Sequence, residues 1–346
     1  MLTRKLFTAM LAAITTSVGA VVPAIALDEF YKGKTINVIV GFGPGGANDV
    51  WTRVLNRYMP RHIPGQPTMV AQNMPGAGSL RLANHIAATA PKDGTEIGLI
   101  SRGIALQPLF GSQNARFDPR KMTWIGSPNQ DTIVAVSHKD SKVQKLDDLH
   151  TTELVVGASG LGADSANYPL FLADLLGMKL KMVTGYPGTN EVVLAIERKE
   201  VQGTFIAFGS VERQQMYVDG KLNILFQTGL QKDPSIPAHA PLVTDFTNDK
   251  ADLEALRLFL ANSALGRPYV APPELPAGRG DLLRKAFMAT MQDPDFLAET
   301  QKLKLSVSAM SGEDLERIIS SIYKAPKPVV QRVTEALGRF SESPKR

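Results

Sequence analysis

Thr35-Ile36-Asn37-Val38-Ile39-Val40 is a run of apolar and β-branched residues, and four glycines stand within the six positions that follow it, Gly41 to Gly46. The run reads as a buried strand. The glycines read as a tight turn, and Asn48 or Asp49 can cap a helix that carries Val50, Val54, Leu55 and Tyr58. Pro60 ends that helix. The unit then recurs. Thr68 to Gln72 is a second strand, closed by Asn73-Met74-Pro75-Gly76. Ser79 opens a helix with Leu82, Ile86 and Ala87 on one face. Asp93-Gly94 turns the chain into a third strand, Ile97 to Ile100. Strand, helix, strand, helix, strand predicts a mainly parallel sheet with helices on its faces.

The pattern restarts after an extended stretch, Thr123 to Gly126 and Thr132 to Val136, which reads as the crossing into a second lobe. Leu154 to Gly157 is a strand, and Ser165 to Leu176 a helix stopped by Gly177. Leu180 to Val183 is a strand, Asn190 caps a helix to Arg198, and Thr204 to Ala207 is a strand. Ile224 to Phe226 is expected to return toward the first lobe. Pro294 begins a helix, Ser311 to Asp314 has the form of a capping box, and Pro326 and Pro328 precede the last helix. The two halves share a theme: Gly43-Pro44-Gly45-Gly46-Ala47-Asn48-Asp49 parallels Gly185-Tyr186-Pro187-Gly188-Thr189-Asn190-Glu191. The expected division is 27–128 with 227–346 as lobe one and 129–226 as lobe two. Closure is expected about Gly126 to Ile133 and Asn223 to Gln227.

The first 26 residues are read separately. Arg4 and Lys5 precede a nearly uncharged stretch from Leu6 to Val22, and Ala24-Ile25-Ala26 fits signal peptidase. That is the layout of a secretory signal peptide, cleaved after Ala26 for export to the periplasm. The remaining 320 or so residues suffice for two domains. With 38 basic and 33 acidic residues the chain is weakly basic, and no Lys/Arg block marks a nucleic-acid or membrane surface. The absence of cysteine excludes disulfides, thiol chemistry and lipid attachment through cysteine.

Several catalytic and cofactor readings fail. Gly41-Phe42-Gly43-Pro44-Gly45-Gly46 fits G-x-G-x-x-G after a strand. A dinucleotide site also wants an acid at the end of the second strand, where Gln72-Asn73 stands, and Pro44 lacks an N–H for phosphate. Gly157-Ala158-Ser159-Gly160-Leu161 is not a nucleophile elbow. His62, His85, His138, His150 and His239 are scattered, with no H-E-x-x-H, so no metal site is assigned. Asp49 reads as a helix cap before a general base. No cofactor is expected. The glycine loop fits an anion cradle better: residues without Cβ let a carboxylate approach the backbone at a helix N-terminus. Other strand ends are decorated alike, at Met74 to Ser79, Ser101-Arg102-Gly103, Ser159 to Gly162 and Tyr186 to Gly188.

Six blocks in order carry a family resemblance. They are Tyr31 to Thr35, Val40 to Asp49, Gln72 to Ser79, Ala90 to Thr95, Val183 to Gly188, and Gly266 to Pro273. Together the chain resembles the Bug-type (TctC-like) receptors, the substrate-binding proteins of tripartite tricarboxylate transporters. The resemblance implies a two-lobed Venus-flytrap fold, α/β and type II-like, with a mixed, mainly parallel sheet in each lobe. It implies a monomeric solute receptor with no enzymatic activity, which passes a small organic carboxylate to membrane subunits. By position, Phe42, Gly45, Gly46, Asn48 and Asp49 would line one side, beside Gly76, Ala77 and Gly78. Residues in Ser159 to Ser165, Ser159, Gly162 and Ser165 foremost, then Tyr186 to Thr189 with Tyr186, Pro187 and Gly188, then Phe208 and Gly209 would close from lobe two. The family's Pro-Pro-Gly-Gly loop reads Gly43-Pro44-Gly45-Gly46 here, and Asn48 replaces its usual Thr. Arg102 is a further candidate for a second carboxylate. Two other classes stay open at this point: a module that presents ligand to a membrane kinase, and an exported hydrolase.

Overall fold

β1 (Thr35–Val40), α1 (Ala47–Tyr58), β2 (Thr68–Asn73), α2 (Leu80–Ala88) and β3 (Glu96–Leu99) build the first half of one sheet. The computed structural model describes residues 30–338, so the leader expected over 1–26 lies outside the described residues. β1 runs parallel to both neighbours, with Val40 beside Asn73 and Leu99. The three strands therefore end level, and the loops that follow them leave from one sheet edge. β4 (Thr123–Ser127) completes the first pass. The chain then crosses to β5 (Ile133–His138), β6 (Leu154–Ala158), α3 (Asp164–Leu176), β7 (Leu180–Thr184), α4 (Thr189–Glu197) and β8 (Gly203–Ala207). Short helices α5 (Phe208–Val211) and α6 (Gln215–Val218) lead to β9 (Leu222–Gln227). After α7 (Lys250–Leu260) come β10 (Tyr269–Ala271), α8 (Arg279–Thr290), α9 (Pro294–Lys302), β11 (Met310–Ser311), α10 (Gly312–Ile322) and α11 (Lys327–Gly338).

Two mixed sheets result, ordered β11-β4-β10-β3-β1-β2 and β7-β6-β8-β5-β9. β10 is antiparallel to β3 and β4, and β5 is antiparallel to β8 and β9. The inner strands of both sheets are covered on both faces, which explains why they read as continuous apolar runs, while the edge strands β2 and β7 stay partly exposed. On the first sheet, Trp51, Val54 and Leu55 of α1 pack with Phe287 and Phe296 over Ile36 and Val38. Leu82 and Ile86 of α2 cover the other face with Trp124, Leu315 and Ile319. On the second sheet, Val192 and Ile196 of α4 cover Val134 and Val136.

The expected return to lobe one at Asn223–Gln227 is placed differently. β9 is an edge strand of the second sheet, paired with β5. The chain stays there through α7, whose Phe259 stacks on Phe171 of α3 at 4.1 Å between ring centroids. Such a pair contributes about 0.5–1.5 kcal/mol beyond its burial. α11 also packs on α7 and α3, with Val333 and Ala336 in the same cluster as Phe171. The return to sheet one falls between α7 and β10.

Candidate functional site

The helices that start in the cleft between the sheets lack the caps expected of them. α1 begins at Ala47 with Gly46 in the cap position, and α4 begins at Thr189 with Gly188 there. Asn48 and Asn190 therefore do not cap these helices. α3 begins after Ala163. None of the three has a side-chain cap, whereas α7, α9 and α10 are capped by Asp249, Asp293 and Ser311. A capping side chain would occupy the first-turn N–H groups. Leaving them bare at three helix starts makes a wall of donors and positive dipole ends.

Asp49 has a different task from the cap read in the sequence. It lies within the first turn of α1, and its Oδ2 accepts from Gly45 N–H at 2.8 Å and from Arg53 Nε at 2.8 Å. Oδ1 accepts from Arg53 Nη2 at 3.0 Å and Asn73 Nδ2 at 2.9 Å. Burial works against its charge, but Arg53, the Gly45 N–H and Asn73 outweigh it and hold its pKa below the ordinary carboxylate value. Asn73 also donates to the Phe42 carbonyl at 3.0 Å, so β2 and α1 together hold the glycine loop in shape. Gly45 takes a φ of +76°, which an L side chain adopts only with strain.

A cavity of about 90 Å³ lies where the two sets of loops meet. The first sheet contributes Phe42, Gly43, Gly46, Ala47, Asn48, Ser101, Arg102 and Arg267. The second contributes Ser159, Ala163, Asp164, Ser165, Gly188, Thr189, Phe205 and Ser210. The lobes touch around it: Gly43 N–H donates to the Pro187 carbonyl at 3.1 Å. The two loops that resemble each other in sequence are thus the two that meet.

Arg102 lines the cavity and is only 3 % exposed, which rules out a solvent-facing role. Its Nη1 donates to the carbonyls of Asp131 at 2.8 Å and Ser263 at 3.0 Å, and its Nε pairs with Asp164 Oδ2 at 3.0 Å. Burial opposes its charge, and Asp164 nearby more than compensates, so its pKa stays raised. Arg267, 6 % exposed, is a second buried guanidinium on the wall. It donates to Asn129 at 2.8 Å, Asp131 at 3.1 Å and Ser210 at 3.3 Å.

Of the residues singled out in the sequence, Phe42, Gly46, Asn48, Arg102, Ser159, Ser165 and Gly188 line this cavity. Gly45 and Asp49 shape the loop from behind. Gly76 and Gly78 lie in the loop after β2, and Gly78 packs against Ala163 and Gly160 of the second lobe. Ala77 lines a separate groove of about 730 Å³ with Leu106 and Phe110. Gly162 donates to Asn167 at 3.1 Å and abuts Ile104. Pro187 offers its carbonyl to Gly43, while Tyr186 and Phe208 pack into the apolar cluster of lobe two rather than lining the cavity. Gly209 N–H donates to Asp131 at 3.1 Å. Sequence reasoning missed Arg267 as a member of the wall and Asp131 as its partner, whereas Asp164 falls within the Ser159 to Ser165 segment assigned to lobe two. Arg267 stood inside a quoted block, but nothing local to it marks burial.

Residues 52–334 match the family model described as the tripartite tricarboxylate transporter family receptor. A UPF0065 protein of Bordetella pertussis is 23% identical over 313 residues, 88% of this chain and 91% of that protein. Another, in the gbd 5' region of Cupriavidus necator, is 23% identical over 341 residues, 93% of this chain and 95% of that one. Among solved structures, the periplasmic binding protein BugD aligns with a TM-score of 0.67 at 20% identity, over 90% of this chain and 98% of its own. MatC from Rhodopseudomonas palustris, with bound malate, aligns at 0.64 and 20% identity, over 89% and 98%. R. palustris Rpa4515, with adipate, aligns at 0.67 and 16% identity, over 87% and 97%.

Proposed function

Because the chain belongs to the tripartite tricarboxylate transporter receptor family, we propose that it is a periplasmic receptor that closes its two lobes on a small organic carboxylate and delivers it to the membrane subunits of such a transporter. It is a binding protein of this family and not an enzyme. The observation that carries the carboxylate reading is the cavity wall, where three uncapped helix starts converge with two buried guanidiniums. Each helix start favours an anion by about 0.3–1 kcal/mol at exposed sites, and by more where water is excluded. The malate of MatC and the adipate of Rpa4515 support the same ligand class.

Recognition follows from the loop. Gly46 and Gly43 bring the backbone to the cavity, and a ligand carboxylate accepts N–H donors at the start of α1. The start of α4 and the Ser159–Ser165 segment then meet the ligand from the other side. A ligand held by both lobes favours the closed form only through contacts that exist in that form. Calorimetric titration with a panel of mono-, di- and tricarboxylates tests the reading. Saturable binding of at least one acid, with a rise in melting temperature, is the expected result. No binding of any acid, or turnover of an ester or amide, overturns it.

A further inference from the structure

We propose that the groove of about 730 Å³ is a second ligand site, and that it takes an uncharged, largely apolar molecule bearing a carbonyl group. The groove is a space apart from the carboxylate cavity: among the described residues, Ser159 alone lines both. Leu106 and Phe110 come to it from the segment after β3, Leu161 from the loop after β6, and Leu170, Phe259 and Leu337 from α3, α7 and α11. Its size and lining are those of small-molecule sites, which hold about 300–1,000 Å³ and fix orientation through a few placed polar groups.

The buried polar groups on its wall are amide donors. Asn167 is 7 % exposed, and its Oδ1 accepts from Gly162 N–H at 3.1 Å. Its Nδ2 has no acceptor among the described residues, and a Cβ on Gly103, another groove residue, would stand 3.0 Å from it. Asn262, 1 % exposed, accepts from the Tyr168 hydroxyl at 3.0 Å through Oδ1 and likewise leaves Nδ2 without an acceptor among the described residues. Both nitrogens keep accessible surface, and the groove is the space that these two buried residues line. Buried donors are nearly always paired, so two left open toward one apolar space call for an acceptor that a ligand brings. No Asp, Glu, Lys, Arg or His is among the described residues that line the groove. A carboxylate placed there would lose water and gain no counter-charge. A ketone, ester or amide oxygen carries no charge to desolvate and has lone pairs for N–H donors, while the hydrocarbon around it meets the apolar wall. The site needs no acid in the cavity, so its failure leaves the carboxylate reading untouched.

The test is fluorescence titration of the whole protein with prodan, an uncharged naphthyl ketone whose emission shifts to the blue in apolar surroundings. Saturable binding of one prodan per protein is expected. Acetophenone should displace it. Ethylbenzene, which lacks the oxygen at nearly equal size, should do so about threefold or more less effectively, and benzoate, the anionic counterpart, about tenfold or more less effectively. Leu170→Trp puts a ring into the groove and should weaken prodan binding by about tenfold or more. Binding without saturation, or native affinity in a folded Leu170→Trp, overturns the site. Ethylbenzene as effective as acetophenone overturns the carbonyl, and benzoate as effective as acetophenone overturns the uncharged ligand. These last comparisons use the native protein and hold even if the variant fails to fold.

Discussion

Gly43 and Pro187 are 144 positions apart in sequence, yet the N–H of one donates to the carbonyl of the other at 3.1 Å, from the glycine loop of the first sheet to the loop that starts α4 on the second. Neither group has this partner when the cleft is open. Amide exchange at Gly43 therefore reads closure directly. Protection is expected to rise on adding a bound carboxylate, while that of Val38, inside β1, stays constant. Equal exchange at Gly43 with and without ligand would mean that the lobes do not move on binding.

Gly46→Val separates binding from folding. Gly46 has φ of −72° and ψ of 169°, an extended conformation open to any residue, and a Cβ there would meet nothing nearer than the Gly43 carbonyl at 3.8 Å. The strain that the glycine cluster leads one to expect is thus absent at this position. The added side chain stands at the cavity wall. The melting temperature should stay within about 2 °C, and affinity should drop by about tenfold or more. Unchanged affinity would place the ligand away from this loop.

Gly78→Ala acts on closure instead. Gly78 has φ of +61°, and a Cβ there would overlap the backbone nitrogen of Ala163 in the facing lobe. Alanine in this conformation costs about 1–2 kcal/mol, and the overlap is relieved only by parting the lobes. Small-angle scattering should show the variant at saturating ligand less compact than the native protein under the same conditions. Identical compaction of the two would show that the loops adjust locally.

Asp49 gives a pH dependence of known sign. Its folded pKa is depressed, so its ionised form adds stability above the ordinary carboxylate value of about 4. That contribution fades as pH falls from there through the lower folded value. Asp49→Asn should melt a few degrees below the native protein at pH 7, and the gap should narrow below about pH 4. A gap that stays constant into acid would show that the partners of Asp49 do not favour its charge.

The first nine strands were legible to within a residue or two because they are apolar and bounded by glycine and proline, whereas the short β10 and β11, set in a stretch that reads as mostly helical, were not read as strands. Helix starts were legible where a side chain caps them, as at Ser311, and misread at Asn48 and Asn190, where glycine holds the cap position. Local sequence marks a residue able to cap and cannot mark a helix start left bare for a ligand. Tyr186 and Phe208 follow strands as binding residues do, but their rings find apolar neighbours within lobe two. Arg267 becomes a partner of the site only through the crossing of distant loops. Pro326 and Pro328 marked where the last helix, α11, begins, but not that it packs on α7 and α3 beside the second sheet.

The chain passes between the sheets three times, at 128–132 after β4, at 261–268 before β10, and at 323–326 before α11. Three ties in parallel resist a relative twist that one or two would permit, which leaves opening and closing as the soft motion. They also make the connection redundant. A protease that cuts the protein once, within any one of the three, should give two bands on a denaturing gel and a single particle in native chromatography.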